Sequence, residues 1–218
     1  MQSGVFIERN GILNVVRQAH QQQVNPLSIN DFHLNTQALE PLRRLKAAGL
    51  VLIVTTNQPG LSLGDLTRHE LERMHQLLRA HFPLDAIYVC PHTEADRCYC
   101  RKPKTGLFLE AAHQWRLNLD HSFVISDKWQ DAVAAHNVGC TSLLVSSPWN
   151  GTSHHDFILP TLEAVADRIL ALRAGHFVSE PLAADAPARL LKKYTPMWKE
   201  FGDHWNPLLV PDGSHTGQ

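Results

Sequence analysis

Cys90, His92, Cys98 and Cys100 fall within eleven positions of one another. Three thiolates and one imidazole are the donor set of a tetrahedral zinc shell, and a shell closed by four protein ligands is structural. The five residues between the pairs, Thr93 to Arg97, are too few to make a core, so a metal would supply much of the loop's order. A basic pair, Arg101-Lys102, follows directly. Arginine offers a planar fork and lysine a compact charge, and both suit phosphate oxygens. Thr56-Asn57-Gln58-Pro59-Gly60 sets a hydroxyl and backbone N–H groups at a Pro-Gly turn, another way to hold such oxygens. Asp127 can bind Mg2+, a hard cation that takes a few carboxylates plus water and phosphate oxygens. Asp131, four residues on, either supports the same site or caps a helix. Near the N-terminus, Glu8 and Asn10 flank Arg9 just after the apolar run Val5-Phe6-Ile7.

Each of these groups needs an element to hold it. Five short runs are almost uniformly apolar: 4–7, 50–55, 86–89, 122–125 and 142–145. That is the pattern of parallel strands covered on both faces. Between them, 36–48 carries Leu39, Leu42 and Leu45 at helical spacing and stops at Gly49, and 65–82 carries Leu66, Leu71, Met74, Leu77 and Leu78. Further helices are predicted over 104–115, 130–137 and 160–174. Strands alternating with helices give an α/β fold, a Rossmann-like doubly wound parallel sheet with its site at the carboxyl ends of the strands. Glu8, Thr56, Cys90 and Asp127 each follow a strand directly.

In this order and spacing the motifs resemble the haloacid-dehalogenase (HAD) superfamily, in its heptose-bisphosphate and histidinol-phosphate phosphatase branch. That branch opens on roughly Phe-Leu-Asp-Arg-Asp-Gly-Val-Ile-Asn, with the first aspartate as nucleophile and the second as general acid/base. Phe6 to Asn14 match it, but Glu8 stands at the nucleophile position and Asn10 at the acid/base position. The resemblance implies that Thr56 and Asn57 form the second motif and bind phosphate. Lys102 would neutralise the phosphoryl group and nucleophile, and Arg101 would bind substrate phosphate. Ser126-Asp127-Lys128-Trp129-Gln130-Asp131 matches the fourth motif, with Asp127, Glu8 and the Asn10 carbonyl as Mg2+ ligands. The branch also carries the Cys-x-His and Cys-x-Cys zinc loop, which there shapes the rim of the substrate pocket.

Glu8 keeps a carboxylate but moves its oxygens by about 1 Å or more, a misplacement that can cost about 100-fold. Asn10 cannot give or take a proton as a carboxyl group does, a loss typically of about 10²–10⁴-fold. The expectation is a weak or inactive phosphatase that still binds a sugar phosphate. Two alternatives stay open: an active Mg-dependent phosphomonoesterase on a sugar bisphosphate or histidinol phosphate, and a zinc-braced interaction module.

The chain has 218 residues, 44% of them hydrophobic, and a formal charge of −1. This allows one good core and gives no electrostatic case for nucleic acid or an anionic membrane. No apolar stretch nears the roughly 20 residues of a membrane span, and the N-terminus reads as strand rather than signal peptide; a cytoplasmic location is expected. The scattered histidines, His75 among them, read as solvated surface. The motifs lie in an HAD-like domain over 1–175. An extension over 176–218, with Trp198, Phe201 and Trp205, is expected to pack on the core, on another subunit or on a protein partner.

Overall fold

The computed structural model describes residues 2–19, 22–152 and 154–174; the extension 176–218 lies outside the described residues. In chain order the strands are β1 (Gly4–Ile7), β2 (Asn14–Val15), β3 (Arg17–Ala19), β4 (Gln22–Val24), β5 (His33–Leu34), β6 (Val51–Asn57), β7 (Ala86–Cys90), β8 (Phe123–Ser126), β9 (Thr141–Val145) and β10 (Phe157–Leu159). The helices are α1 (Leu39–Ala47), α2 (Gly60–Leu63), α3 (Arg68–His81), α4 (Gly106–Trp115), α5 (Trp129–Asn137) and α6 (Leu162–Arg173). Six strands form one parallel sheet in the order β10-β9-β8-β1-β6-β7. This is the α/β, Rossmann-like architecture expected from the sequence. The chain winds outward from β1 through β6 and β7, then crosses to β8 on the other side, so the strand order reverses at β1. Open α/β sheets bind their ligands at such a reversal.

Both faces of the central strands are buried, which explains their uniform apolarity. Val5 and Ile7, with Leu52 and Val54, pack under α1, α3 and α6. Phe6, with Val51, Ile53 and Val124, packs under α4 and α5. The expected five strands are all present within two residues of their predicted ends. The sequence reading missed β10, a half-exposed edge strand, and the polar hairpin of β3 and β4. It also set Leu77 on the inner face of α3 and left His75 off it. Leu77 is 38% exposed, while His75 is 4% exposed beside Leu71, Met74 and Leu78. His75 is therefore core, not solvated surface: 71, 74, 75 and 78 are the i, i+3, i+4, i+7 stripe of one helix face.

Among the described residues no helix is long and apolar enough to cross a membrane. A close aromatic contact in the core joins strand to helix, with Phe6 and Phe108 ring centroids 4.9 Å apart. Phe6→Ala is expected to cost about 3–5 kcal/mol, read as a lower urea midpoint at unchanged denaturant slope.

Candidate functional site

The parallel register brings the chemistry together. Ile7 pairs with Val54 on one side and with Ile125 on the other, so Glu8, Thr55 and Ser126 lie at one level across three neighbouring strands. The Glu8 N–H still donates to the Ile125 carbonyl at 2.9 Å. On the far side Asn57 pairs with Cys90, and the Gln58 N–H donates to the Cys90 carbonyl at 2.7 Å. The loop after β1 must then turn back over Asp127. Gly11 makes that turn at φ +96°, where a Cβ would lie 2.3 Å from an Asp127 carboxylate oxygen, so only glycine fits.

At the centre lies a buried ion cluster. Lys102 Nζ donates to Glu8 Oε2, to the Thr55 carbonyl at 2.7 Å and to Asp131 Oδ1 at 2.6 Å, which uses all three ammonium protons. Glu8 Oε1 accepts from the Asn10 N–H at 3.0 Å and from Thr56 Oγ1 at 3.1 Å. Burial alone would push the Glu8 carboxyl up. The charges of Lys102 and Lys128 outweigh it and hold the group down at about 2, against an ordinary 4.5. Burial pushes Asp131 the other way, upward, with Lys102 opposing and Glu8 adding to the rise. Asp131 Oδ2 has no partner among the described residues. Asp131 is thus part of the site and not a helix cap, since the residue before α5 is Lys128 and its side chain caps nothing.

Asn57 positions Lys102 through a pair of bonds: Asn57 Nδ2 donates to the Lys102 carbonyl and the Lys102 N–H to Asn57 Oδ1, both at 3.1 Å. The structure pairs Arg101 with the cysteine loop, Nη1 donating to the His92 carbonyl at 3.1 Å. Asn10 is fixed as an amide. Its Oδ1 accepts from Arg9 Nε at 3.0 Å, and its Nδ2 donates to Asn25 Oδ1 at 2.9 Å. A carboxylate there would have no proton for Asn25 Oδ1.

Three contributors were not singled out in the sequence. Lys128 Nζ donates to the Asn10 carbonyl and to Asp127 Oδ1, the latter at 2.8 Å. Gln23 Nε2, from β4, donates to Asp127 Oδ2 at 2.8 Å. Asn25, just beyond β4, holds the Asn10 amide as described. Lys128 sits inside the fourth motif at a position without an assigned role, and Gln23 belongs to a polar hairpin with no periodic signal.

The cysteine loop closes as its spacing implied. Cys90 Sγ lies 3.7 Å from Cys98 Sγ and 3.3 Å from Cys100 Sγ, with Cys98 and Cys100 3.5 Å apart. His92 Nδ1 is 3.2 Å from Cys100 Sγ and 3.7 Å from Cys90 Sγ. A zinc tetrahedron with metal–sulfur bonds of about 2.3 Å has edges of about 3.8 Å, so these four groups can hold one metal ion.

Comparison with known proteins agrees with the site. A family profile described as HAD-hydrolase-like matches residues 99–172. The D-glycero-beta-D-manno-heptose-1,7-bisphosphate 7-phosphatase of Helicobacter pylori (strain ATCC 700392 / 26695) is 34% identical over 152 residues, 66% of this chain and 84% of that protein. The chain belongs to the heptose-bisphosphate phosphatase family of the HAD superfamily. The corresponding Escherichia coli K12 enzyme is 33% identical over 65% of this chain and 78% of its own. A D,D-heptose 1,7-bisphosphate phosphatase from B. bronchiseptica, solved with magnesium and phosphate, superposes with a TM-score of 0.67. It is 25% identical and covers 78% of this chain and 99% of its own.

Behind the family motif, Arg9 is fully buried. Burial lowers its guanidinium to about 10, against the pull of Glu8, so it stays protonated at neutral pH. Its Nη1 lies 3.5 Å from His75 Nε2, and a guanidinium only donates; Nε2 must accept, and His75 is neutral. Burial first, then Arg9 and Arg79, lower His75 from 6.5 to about 3. The unfolded chain therefore binds the extra proton between these values, and His75's share of stability, present above 6.5, drains away as pH falls toward 3. His75→Leu is expected to remove that share of the slope. Relative to wild type the variant gains stability by up to about 1.4 kcal/mol per pH unit below pH 6, measured by urea titrations from pH 7 to 4.5. Parallel curves would show that His75 does not titrate this way.

Proposed function

We propose that this chain binds a phosphorylated sugar, as the names of its relatives indicate for them, but hydrolyses it slowly or not at all. The observation that carries this reading is the Asn10 amide, held at both ends by Arg9 and Asn25. It has no acidic proton to give a leaving alkoxide and no basic site to take one from water, and general acid–base catalysis is worth about 10²–10⁴-fold. Glu8 supports the same reading. Its carboxylate stays ionised, but both oxygens are engaged, one by Lys102 and the other by Thr56 and the Asn10 N–H.

Binding keeps its physical basis: Lys102 remains a fixed positive charge at the strand ends, and Thr56 lies within the same cluster. Glu8, Asn10 and Asp127 offer the hard oxygens that Mg2+ takes, and a bound ion would supply positive charge there for a phosphate. Around them, the Asn10 carbonyl and one oxygen of Asp127 accept from the Lys128 ammonium, and the other Asp127 oxygen accepts from Gln23. Cys90, His92, Cys98 and Cys100 are read as a structural zinc site that fixes the loop leading to Arg101 and Lys102.

The test is phosphate release from a panel of sugar bisphosphates and histidinol phosphate, comparing wild type with the Glu8→Asp/Asn10→Asp double variant in millimolar Mg2+. Wild type is expected near background and the variant at least about 100-fold faster, the two losses not simply multiplying. A wild-type rate equal to the variant's would establish the active-enzyme reading instead.

For the cysteine site, elemental analysis of purified protein is expected to give one zinc per chain. Cys98→Ser should lose the metal, and thermal unfolding should move down by several degrees. Full stability in a zinc-free wild-type preparation would overturn the assignment.

A further inference from the structure

Asn10 and Gly11 form the dipeptide in which an asparagine side chain is chemically least durable. The peptide nitrogen after an asparagine can attack its side-chain carbonyl carbon, and a following glycine, having no Cβ, leaves that approach open. The Gly11 nitrogen would bond to Asn10 Cγ, the Cγ–Nδ2 bond would break, and ammonia would leave with the Gly11 amide proton. Water then opens the five-membered ring at one of its two carbonyls. One opening returns an aspartyl residue on an unchanged main chain. The other gives an isoaspartyl residue, which routes the chain through the side chain. The sequence holds a second such pair, Asn150-Gly151, and both pairs border Asp127.

The site both primes and restrains this reaction at Asn10. Arg9 Nε donates to Asn10 Oδ1 at 3.0 Å. Negative charge gathers on that oxygen as the carbonyl is attacked, and a fixed cation there favours the attack. Three features oppose it. The Gly11 N–H donates to the Asn14 carbonyl at 3.0 Å, which ties up the proton the nitrogen must lose. Asn10 Nδ2, the leaving nitrogen, donates to Asn25 Oδ1 at 2.9 Å. Asn10 is also only 2% exposed, which keeps back the water that opens the ring. Of the three, the hold of Asn25 is the most easily released. It follows β4, and β3 and β4 form a two-stranded sheet of their own. Such a hairpin is marginal by itself, and elements of that kind open before the core does. Asn150 is held differently. Its Oδ1 accepts from the Ser147 N–H at 2.7 Å, and its Nδ2 donates to the Val145 and Asp127 carbonyls at 3.0 and 3.1 Å. All three are main-chain groups beside β8 and β9, independent of the hairpin.

We propose that Asn10 is a deamidation site held in check by Asn25, and that its aspartyl product carries the proton-transfer carboxyl that the amide lacks. The catalytic half rests on the function proposed above; the deamidation half does not. The aspartyl product keeps the main chain of the turn at Gly11 and the carbonyl that position 10 offers a divalent cation. Arg9 Nε is already placed to bond its carboxyl oxygen.

The experiment incubates zinc-loaded, full-length wild type, Asn25→Ala and Asn25→Asp at mildly alkaline pH. Peptide mass spectrometry follows the gain of about 1 Da at each Asn-Gly pair, against the same chain unfolded in urea. In wild type Asn10 is expected to convert at least about tenfold more slowly than in the unfolded chain. Asn25→Ala should convert it about fivefold faster than wild type, the factor that one net hydrogen bond is worth. Asn25→Asp, which keeps an acceptor oxygen, should match wild type, and Asn150 should not change in any of them. Conversion of wild type at the unfolded rate, no gain in Asn25→Ala, or an equal rise at Asn10 and Asn150 overturns the proposal. Phosphate release from sugar bisphosphates in Mg2+ reads the catalytic half, with Asn10→Asp marking complete conversion. The rate of aged Asn25→Ala is expected to rise in proportion to the aspartyl fraction at position 10. If Asn10→Asp is faster than wild type but the aged samples do not follow that fraction, the catalytic half is overturned. If Asn10→Asp gains nothing, the catalytic half falls together with the role given to Asn10 in the proposed function. The mass measurement still decides whether Asn25 guards the amide.

Discussion

Lys102 Nζ sits among Glu8, Asp131 and the Thr55 carbonyl with almost no exposure, and much of the architecture serves to keep it there. A buried ion pair recovers its desolvation cost only if geometry is good and the remaining protons and lone pairs are satisfied. The three acceptors come from the residue just after β1, from β6 and from α5, so the cluster closes only when the strand register and the start of α5 are both correct. The lysine itself comes from a fourth segment that has no regular structure. That segment is held by Asn57, reaching over from the end of β6, and upstream by the cysteine loop, to which Arg101 is tied. A metal held by the cysteine loop would thus act on the site at one remove, through the placement of Lys102.

The sheet was legible in the sequence because burial on both faces leaves a one-letter signature: runs of valine, isoleucine and leucine with no alternation. The motifs were legible because each begins where such a run ends. What escaped was set by contacts between elements rather than by a period. His75 was misplaced because a histidine is usually polar surface, although its spacing from Leu71 and Leu78 puts it on the inner stripe. It tolerates burial because Arg9 supplies a donor for its ring nitrogen. The hairpin of β3 and β4 has polar residues on both strands and was invisible to hydrophobic periodicity, yet it delivers Gln23 to Asp127 and leads to Asn25 at Asn10. Lys128 was hidden in plain view, one residue from a carboxylate that a motif had already explained.

Arg9 shows how the segment after β1 is held in place. Its guanidinium is buried against Phe32, with the ring centroid 5.4 Å away, and bridges Asn10 to His75. A buried cation is tolerated here because Glu8 next door is ionised, and that charge raises the guanidinium against the effect of burial. The Asn10 carbonyl group of the amide side chain is then the natural acceptor for Arg9, leaving the NH2 end to face Asn25. The orientation of the amide follows from charge on one side and a matching acceptor on the other.

Binding and turnover ask for different properties in the same place, and the contacts separate them. An anion is held by fixed charge in a site that need not reorganise, whereas hydrolysis needs a nucleophile able to reach phosphorus and a group able to pass a proton back and forth. In this chain Glu8 carries three contacts across its two oxygens, Lys102 three through its ammonium and Asp127 one on each carboxylate oxygen. Every charge is positioned, and the group at position 10 cannot move a proton. In the proposed function, the glutamate at position 8 and the amide at position 10 keep the electrostatic half of a phosphatase site and lack its proton-transfer half. A fold that keeps the first without the second is suited to holding a phosphate more than to cleaving it.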